Sequence, residues 1–423
     1  MSLVKKPVTG MKDILPREMQ IRDYVTKVIK ETYAGFGFLS IETPCVEHIE
    51  NLCSKQGGEN EKLIFKILKR GEKLDLANAQ NEEDLTDSGL RYDLTLPLSR
   101  YYANHANELP LPFKALQIGS VWRADRPQKG RFRQFVQCDI DILGDASNLA
   151  EIELILATTT ALSNIGFKGF TVRVNDRRIL KAMADYAGFA PEDYDKVFII
   201  LDKMDKIGPD GVSDELIGAG FEKASVDRYC ALFTEGEGST DSIRQLRETI
   251  SDHLPDDCAK NLITIMETAK QISEADFKIL FDPTLVRGMS YYTGTIFEIG
   301  MDGFSSSVAG GGRYDDMIGK FTGQRTPACG FSIGFERIIT ILMDQDFAIP
   351  NATEKYAFLI EKGAGDERIA GVMQEAMQMR RSGKQVLVAQ MNKNKKFQKE
   401  QLVKEGYQAE NIRDFYNTEM KRD

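Results

Sequence analysis

Residues 121–143 read VWRADRPQKGRFRQFVQCDIDIL, and after Arg131 mostly apolar side chains alternate with mostly polar ones. Such alternation has the two-residue period of a β-strand whose two faces meet different surroundings. One face is mostly apolar, and the opposite face carries Arg133, Phe135, Gln137, Asp139 and Asp141. The segment therefore predicts a strand that presents a row of polar groups.

The first half of this segment concentrates positive charge. Five cations stand against the single acid Asp125, a local charge of +4 in a chain of net charge −9; they are Arg123, Arg126, Lys129, Arg131 and Arg133. Guanidinium groups form bidentate bonds with phosphate oxygens and stay charged when partly buried. The cluster favours a triphosphate site on a loop between two strands, with a solvated hairpin tip as the alternative.

A second polar row lies in the segment Leu90–Leu96, which also alternates. We expect a half-buried strand there, with Asp93 and Thr95 on its polar face. If this strand neighbours the first one, these groups would join Gln137 and Asp141 in a single pocket. Their oxygens would accept hydrogen bonds from an ammonium group or an imidazole N–H. The alternative is two strand faces in contact with solvent.

Residues further along the chain add groups that need partners. Arg287 stands in an apolar run, where a buried arginine is costly without an anion beside it. A bound carboxylate or an α-phosphate would supply that anion. Three tyrosines are typical of a core, although their hydroxyl groups also suit the edge of an aromatic substrate; they are Tyr291, Tyr292 and Tyr314.

The remaining patterns predict a mixed architecture of helices and strands. An amphipathic helix over 18–33 precedes a strand over 36–43, and another strand is expected over 293–299. Gly310, Gly311 and Gly312 indicate a turn inside or beside a sheet. After Phe331 an amphipathic helix closes the main domain.

Composition excludes several classes of protein. The chain has 423 residues, with 55 Lys and Arg against 64 Asp and Glu, so no global positive field attracts nucleic acid or anionic lipid. We find no secretion signal and no apolar stretch long enough to span a bilayer. Six cysteines without a C-x-x-C pair argue against zinc and disulfides and favour the reducing cytoplasm. The three histidines are expected to have surface or capping roles.

The usual nucleotide signatures are absent. The sequence contains neither G-x-x-x-x-G-K-[ST] nor a G-x-G-x-x-G turn between a strand and a helix, so phosphate must be held in another way. The segment Lys203–Lys206 is weakly similar to the lysine loop of class I synthetases. Because its partner histidine motif is missing, we assign it no role.

Together, these segments resemble the histidyl-tRNA synthetases, which are class II aminoacyl-tRNA synthetases. The helix and strand that end at Pro44 resemble the dimer-interface motif of that class. Residues Val121–Arg131 resemble its second motif, and Gly330–Arg337 resemble the third, G-x-x-x-G-x-E-R. Two more segments resemble ones specific to the histidine enzymes, LVRGMSYYTG at 285–294 and AGGGRYD at 309–315.

The resemblance implies a role for each candidate residue. The implied histidine-binding residues are Asp93, Thr95, Gln137, Asp141, Tyr291, Tyr292 and Tyr314. The implied ATP-binding residues are Arg123, Asp125, Arg126, Arg131, Glu336 and Arg337. Arg123 and Arg287 would be catalytic, since Arg123 would bind the α-phosphate while Arg287 bridges it to the histidine carboxylate.

The reaction implied is the activation of L-histidine by ATP with Mg²⁺, followed by transfer of histidine to the 3′ end of tRNA(His). The adenylate and pyrophosphate would form without a covalent protein intermediate, and no protein side chain is assigned to the metal. The resemblance also implies a homodimer. The fold class is α+β, with a class II synthetase-like, mainly antiparallel mixed sheet flanked by helices.

The predicted domains follow from this fold class. Residues 1–175 and 274–347 would form the two parts of the catalytic domain, and residues 176–273 a helical insertion. Residues 355–423 would form a small, partial α/β domain similar to an anticodon-binding domain, apparently truncated because the later strands of that domain are missing. Five lysines on its second helix and the preceding turn would offer a basic edge.

The sequence departs from the family pattern at two positions, and two alternative functions stay open. Asp125 stands where many relatives have glutamate, and Ser290 replaces an acid. One alternative is a non-catalytic, histidine-sensing regulatory subunit of ATP phosphoribosyltransferase, and the other is a tRNA-binding module. Arg123, Arg287 and Arg337 favour the enzyme, because sensing histidine requires no groups for phosphates.

Overall fold

The computed structural model describes residues 3–53, 61–127, 130–233, 238–287 and 291–417. Lys129 of the cation cluster and Ser290 lie outside the described residues. The chain forms two compact units. The first takes its described residues from 1–13 and 25–341, and the second from 14–24 and 342–423.

The helices and strands are numbered in chain order. The strands are β1 (Leu39–Ser40), β2 (Val46–His48), β3 (Lys66–Leu68), β4 (Thr86–Leu90), β5 (Phe113–Trp122), β6 (Gln134–Leu143), β7 (Phe170–Asp176), β8 (Phe277–Phe281), β9 (Thr295–Met301), β10 (Phe304–Arg313), β11 (Ala328–Ile333), β12 (Lys355–Ile360), β13 (Gln385–Gln390) and β14 (Ile412–Phe415). The α-helices are α1 (Pro16–Gly35), α2 (Ile49–Leu52), α3 (Thr95–His105), α4 (Leu149–Ile165), α5 (Arg177–Ala187), α6 (Tyr194–Leu201), α7 (Met204–Gly218), α8 (Lys223–Cys230), α9 (Thr240–Thr249), α10 (Asp256–Ile272), α11 (Gly319–Thr322), α12 (Phe335–Asp344), α13 (Asp366–Arg381) and α14 (Lys395–Lys404). None of these described helices is both long enough and apolar enough to cross a membrane.

An eight-stranded sheet dominates the first unit, in the order β1-β5-β6-β11-β10-β9-β7-β8. The pairs β1–β5 and β7–β8 are parallel, and the five pairs between β5 and β7 are antiparallel. This confirms the predicted mixed, mainly antiparallel sheet. β5 and β6 form a hairpin, and the described cations of the cluster lie between these strands, as predicted.

The strand predicted over Leu90–Leu96 is wrong. β4 ends at Leu90 and belongs to a separate small sheet with β2 and β3, and α3 begins at Thr95. Asp93 Oδ1 accepts the backbone N–H of Leu96 at 3.1 Å, which satisfies a donor of the first helical turn. The alternation does not separate a strand from a helix start here, because polar and apolar residues are all buried from Asp93 to Leu96. Asp93 and Thr95 therefore lie at a helix start.

Two other expectations about local structure also need correction. The strand expected over 36–43 is reduced to the two residues of β1. Gly310, Gly311 and Gly312 form no turn but lie within β10, paired with both β9 and β11. Glycine inside a strand often marks a position where another group approaches the backbone closely. The groups that approach these glycines are described with the site below.

The segment between β7 and β8 is helical, as expected for residues 176–273. It contains α5 to α10, and it connects two strands that pair in parallel at the edge of the large sheet. Buried side chains of this segment contact one another, such as Phe189, which follows α5, and Tyr229 of α8. The domain boundaries drawn around this segment stay a prediction.

The second unit contains a three-stranded parallel sheet in the order β13-β12-β14. Alternate residues of β12 pack on opposite sides, with Phe358 in one apolar cluster and Leu359 in another. The order β12, α13, β13, α14 agrees with the α/β character expected of residues 355–423. β14 was missed, because Arg413 and Asp414 interrupt its short apolar pattern.

Candidate active site

A cavity of about 540 Å³ in the first unit brings together almost all the predicted site residues. Those that line it are Asp93, Thr95, Arg123, Asp125, Arg131, Gln137, Asp141, Arg287, Tyr291, Tyr292, Tyr314, Glu336 and Arg337. Arg126 is exposed and is not among the described residues that line the cavity. Side chains far apart in sequence therefore meet at one site.

The register of the large sheet explains this convergence. Residues directly opposite each other on neighbouring strands point to the same face. One such line of neighbours crosses six strands, and we call it the central row; it consists of Gln117, Asp139, Ser332, Gly310, Glu298 and Arg173. The cavity lies over the part of this row around Asp139, Ser332 and Gly310.

A parallel row, two residues further along each strand, places Asp141 opposite Gly330, and Gly330 opposite Gly312. A Cβ atom on Gly330 would overlap Asp141 Oδ1, and one on Gly312 would lie 2.6 Å from the backbone carbonyl oxygen of Thr295 and 3.0 Å from the ring of Tyr292. In the central row, a Cβ on Gly310 would lie 2.6 Å from the guanidinium carbon of Arg287. These glycines make room for the site's side chains.

One end of the cavity is acidic. Asp93, Asp139 and Asp141 are each at most 4% exposed. Burial raises the pKa of Asp139 to about 7, against the hydrogen bond that Ser332 donates to it. Burial, followed by the charge of Asp139, holds the pKa of Asp141 well above its usual value. A cation that entered this end would stabilise the charged form of all three carboxyl groups.

Asp141 offers an acceptor to a ligand. The Tyr314 hydroxyl donates to Asp141 Oδ1 at 2.5 Å. The other oxygen, Oδ2, is buried and has no hydrogen-bond partner among the described residues. A buried polar atom without a partner is costly, and a ligand N–H would satisfy it.

Tyrosine rings enclose the same end. The ring centroid of Tyr291 lies 4.8 Å from that of Tyr292 and 6.0 Å from that of Tyr314, the latter pair nearly perpendicular. Burial raises the pKa of all three hydroxyl groups, so they remain protonated and act as hydrogen-bond donors near neutral pH. The enclosure suits a small planar ring.

A cationic end adjoins the acidic one, since Arg123 Nη2 lies 3.5 Å from Gln137 Oε1 and the Arg123 charge opposes the rise in the pKa of Asp93 and of Asp139. The Arg123 guanidinium lies 4.2 Å from the ring centroid of Tyr92 and 5.2 Å from that of Phe135, and its Nε donates to the Tyr92 carbonyl. Stacking of this kind fixes a guanidinium plane while its charge is kept. Arg131 pairs with Asp125 at 2.9 Å, with the arginine side chain 55% exposed.

Two further guanidiniums complete this end. Arg287 Nη1 pairs with Glu298 Oε2 at 2.6 Å, while its Nε is buried without a hydrogen-bond partner in the described part of the chain. Arg337 donates to the backbone carbonyl of Ser307. Burial and the positive charge of Arg287 lower the pKa of Arg337. Like charges held this close favour a bound anion.

Glu336 has a structural contact in addition to its place in the cavity wall. Its Oε1 accepts the backbone N–H of Val136 at 3.2 Å, which ties α12 to β6. Glu336 thereby fixes the start of α12, which carries Arg337, to β6, which carries Asp139 and Asp141.

Sequence reasoning gave no role to Asp139 and Ser332, which line the cavity, or to Glu298, which pairs with Arg287. The signal for Asp139 was present, because it alternates in phase with Gln137 and Asp141 on one strand face. Ser332 and Glu298 gave no such signal. Their importance depends on which strands are neighbours, and strand order cannot be read from the pattern of one strand.

Comparison with known proteins identifies the family. The family model for histidyl-tRNA synthetase matches residues 10–338. The histidine–tRNA ligase of Leifsonia xyli subsp. xyli is 47% identical over 354 residues, covering 82% of each chain. That of Christiangramia forsetii is 35% identical over 360 residues, covering 82% of this chain and 78% of the relative.

Solved structures give the same fold. The histidyl-tRNA synthetase of Nostoc sp. PCC 7120 has a TM-score of 0.77 at 26% identity, covering 96% of this chain and 90% of that one. An ATP phosphoribosyltransferase regulatory subunit/histidyl-tRNA synthetase from Bacillus halodurans C has a TM-score of 0.79 at 21% identity, covering 99% and 100%, and this match shows the fold alone. From the family model and these relatives, the chain belongs to the histidyl-tRNA synthetase family.

Proposed function

We propose that this chain is a histidine–tRNA ligase. It activates L-histidine with ATP to form histidyl-adenylate and pyrophosphate, and then transfers histidine to the 3′ end of tRNA(His). The observation that carries the proposal is a single cavity lined by three buried carboxyl groups and, next to them, by four guanidiniums. This charge division suits a substrate with an ammonium group beside a polyanion.

Histidine occupies the acidic end. Asp93, Thr95 and Gln137 accept the hydrogen bonds of the α-ammonium group, since the three side chains lie together on the cavity wall. Asp141 Oδ2, which has no partner among the described residues, accepts a hydrogen bond from one ring N–H. The Tyr292 hydroxyl forms a hydrogen bond with the other ring nitrogen. Tyr291 and Tyr314 pack around the ring.

ATP occupies the cationic end. Arg123 binds the α-phosphate, Arg337 binds the γ-phosphate, and Arg287 lies between the α-phosphate and the histidine carboxylate. Arg131, with Asp125, closes the outer side, and Glu336 supports the start of α12. No group of three or more His, Cys, Asp or Glu side chains among the described residues could hold a metal ion. In this proposal Mg²⁺ enters bound to the ATP substrate.

The protein activates histidine by position and charge. A carboxylate oxygen of histidine attacks the α-phosphorus, the bond from that phosphorus to the bridging oxygen breaks, and pyrophosphate leaves with the electron pair. The two anions repel each other, and fixed guanidiniums offset this repulsion most where negative charge develops. No covalent bond to a protein side chain forms.

The remaining assignments belong to the same proposal. Residues 1–175 and 274–347 act as the catalytic domain, residues 176–273 as a helical insertion, and residues 355–423 as a partial anticodon-binding-like domain. The chain works in the cytoplasm as a homodimer. On α14, Lys395 and Lys399 both pair with Asp414 at 3.0 Å, which reduces the charge that the basic edge can offer to tRNA.

The names of the curated relatives support this function over the histidine-sensing regulatory subunit, since they are histidine–tRNA ligases. The retained guanidiniums support it as well. A sensor of histidine needs the carboxyl groups and a partner for the substrate carboxylate, such as Arg287, but it has no use for Arg123 and Arg337 as phosphate ligands.

The test is histidine-dependent exchange of labelled pyrophosphate into ATP. We expect exchange by the unchanged protein and a loss of about a hundredfold or more in Arg287→Ala, because a transition-state contact is removed. Arg244→Ala, at an exposed ion pair in α9, is the control and should keep full exchange. Histidine binding without any exchange in the unchanged protein would refute the ligase and favour the regulatory subunit.

A further inference from the structure

Glu298 is shared by two arginines. Its Oε2 accepts from Arg287 Nη1 at 2.6 Å, and its Oε1 accepts from Arg173 Nη2, also at 2.6 Å. The two strands that carry Arg173 and Glu298 are antiparallel, and these residues are directly opposite in register. The central row thus continues past the cavity to Arg173.

Arg173 has further partners beyond the sheet. Its guanidinium pairs with Asp205 in the first turn of α7 through two contacts, Nη2–Oδ2 at 3.0 Å and Nη1–Oδ1 at 3.2 Å. Asp282, which follows β8, lies 3.3 Å from Nη1. One guanidinium therefore joins the sheet to the helical segment between β7 and β8.

The start of α7 also reaches the cavity. Lys206, the neighbour of Asp205, is one of the residues that line the cavity. Burial raises the pKa of Asp202, and the positive charge of Arg287 opposes this rise, which places Asp202 within electrostatic range of Arg287. The turn 202–206, which sequence reasoning left without a role, lies beside the proposed active site.

We infer that Arg173 is a positioning residue, which couples the turn 202–206 through Glu298 to the catalytic guanidinium of Arg287. A carboxylate with a single arginine partner favours a bidentate pair. Without Arg173, both oxygens of Glu298 would turn to Arg287 and engage N–H groups that the substrate anions need. With Arg173 in place, Glu298 holds Arg287 by one terminal nitrogen over Gly310.

This inference rests on the proposed function and deepens it. It assigns to the helical segment an effect on the chemical step rather than on substrate affinity. A merely structural ion pair would contribute to stability and leave the rate of activation unchanged. A positioning role would therefore change kcat, whereas a merely structural ion pair would change only the melting temperature.

The structure offers a matched pair of variants. Asp205 and Asp257 are both exposed carboxylates in the helical segment, 69% and 63% accessible, and both pair with an arginine, Arg173 and Arg178 respectively. The pair Arg178–Asp257 has no contact with Glu298 among the described residues. Asp205→Asn and Asp257→Asn each remove one charge at nearly constant shape.

We expect Asp205→Asn to lower kcat of pyrophosphate exchange by about three- to tenfold, with KM for histidine changed less than twofold. Asp257→Asn should change neither parameter more than twofold, and the melting temperatures of the two variants should agree. Arg173→Met should lower kcat further, and adding Asp205→Asn to it should have no additional effect, since both act through one link.

The outcomes separate the two levels of the proposal. If the unchanged protein exchanges pyrophosphate and Asp205→Asn behaves like Asp257→Asn, the coupling is refuted while the ligase stands. If KM for histidine rises and kcat is unchanged, the turn acts on binding and the inference is wrong. Absence of exchange in the unchanged protein would overturn both.

Discussion

Asp139 shows at the scale of a single residue how a binding site is kept at the expense of stability. Its carboxyl group is almost fully buried, beside Asp93 and against the hydroxyl of Ser332. Folding raises its pKa from the usual value near 4 to about 7. Between these two values the folded chain holds a proton that the unfolded chain has lost. Stability therefore falls as pH rises through this window.

Replacing this carboxyl group should stabilise the free protein in a pH-dependent way. In Asp139→Asn the amide keeps an acceptor for Ser332 and carries no charge at any pH. We expect its melting temperature to exceed that of the unchanged protein at pH 8, where Asp139 is ionised, and to be similar at pH 5. The measurement is thermal unfolding without substrates at both pH values.

A carboxyl group outside the cavity supplies the control. Asp145 accepts the N–H of Ser147 in an exposed turn, and Asp145→Asn should show no gain at pH 8. An Asp139→Asn variant that is equally destabilised at pH 5 and pH 8 would show that its charge is already compensated in the free protein.

At the scale of the strand, glycine decides which side chains can lie over the sheet. β11 pairs with β6 and places Gly330 opposite Asp141. A methyl group at Gly330 would overlap the carboxylate oxygen that accepts the hydrogen bond of Tyr314. We expect Gly330→Ala to displace Asp141, to raise KM for histidine at least tenfold and to lower the melting temperature by several degrees, as overpacking costs about 1–3 kcal/mol.

Gly300 provides the comparison within the same sheet. It lies in β9, and a Cβ atom there would meet no described heavy atom within 4 Å. Gly300→Ala should therefore leave KM unchanged and keep or slightly raise the melting temperature. Equal effects of the two substitutions would mean that loss of glycine, rather than contact with Asp141, is responsible.

The elements also show how far sequence patterns can predict a fold. The alternation in 131–143 gave β6 and its polar face, because a strand has only two faces and its period is fixed. The segment from Asp93 to Leu96 was misassigned, because four successive buried residues show no preference between a strand and a helix start. Elements with one buried face are thus predictable, and fully buried ones are ambiguous.

The residues of the site also differ in how far they could be predicted from the sequence. Arginines and acids within recognised motifs could be placed at one site from their resemblance to a family. Glu298 and Ser332 could not, because their roles arise from the order β6-β11-β10-β9 and its register. Register is set by the whole sheet and by its connections, so a contact across four strands has no local signature.

For the whole molecule, the separation of charge within the first unit is more informative than the net charge. The chain as a whole is acidic, at −9, yet one cavity end gathers Arg123, Arg131, Arg287 and Arg337. The local field, and not the global one, decides which anion enters. Because Arg131 is half exposed, salt should screen the cationic end. The carboxyl groups at the other end are buried and should be screened much less.

This difference predicts that ionic strength weakens ligand binding at the two ends to different extents. Pyrophosphate should raise the melting temperature of the free protein, because it binds the folded state alone, and this shift should fall by more than half between 50 mM and 500 mM KCl, concentrations at which the screening length changes from about 14 Å to about 4 Å. The shift produced by histidine, whose contacts are buried, should fall by a much smaller fraction. Arg337→Met should reduce the pyrophosphate shift and leave the histidine shift intact. Parallel loss of both shifts with salt would show that the two ends form one solvent-exposed field.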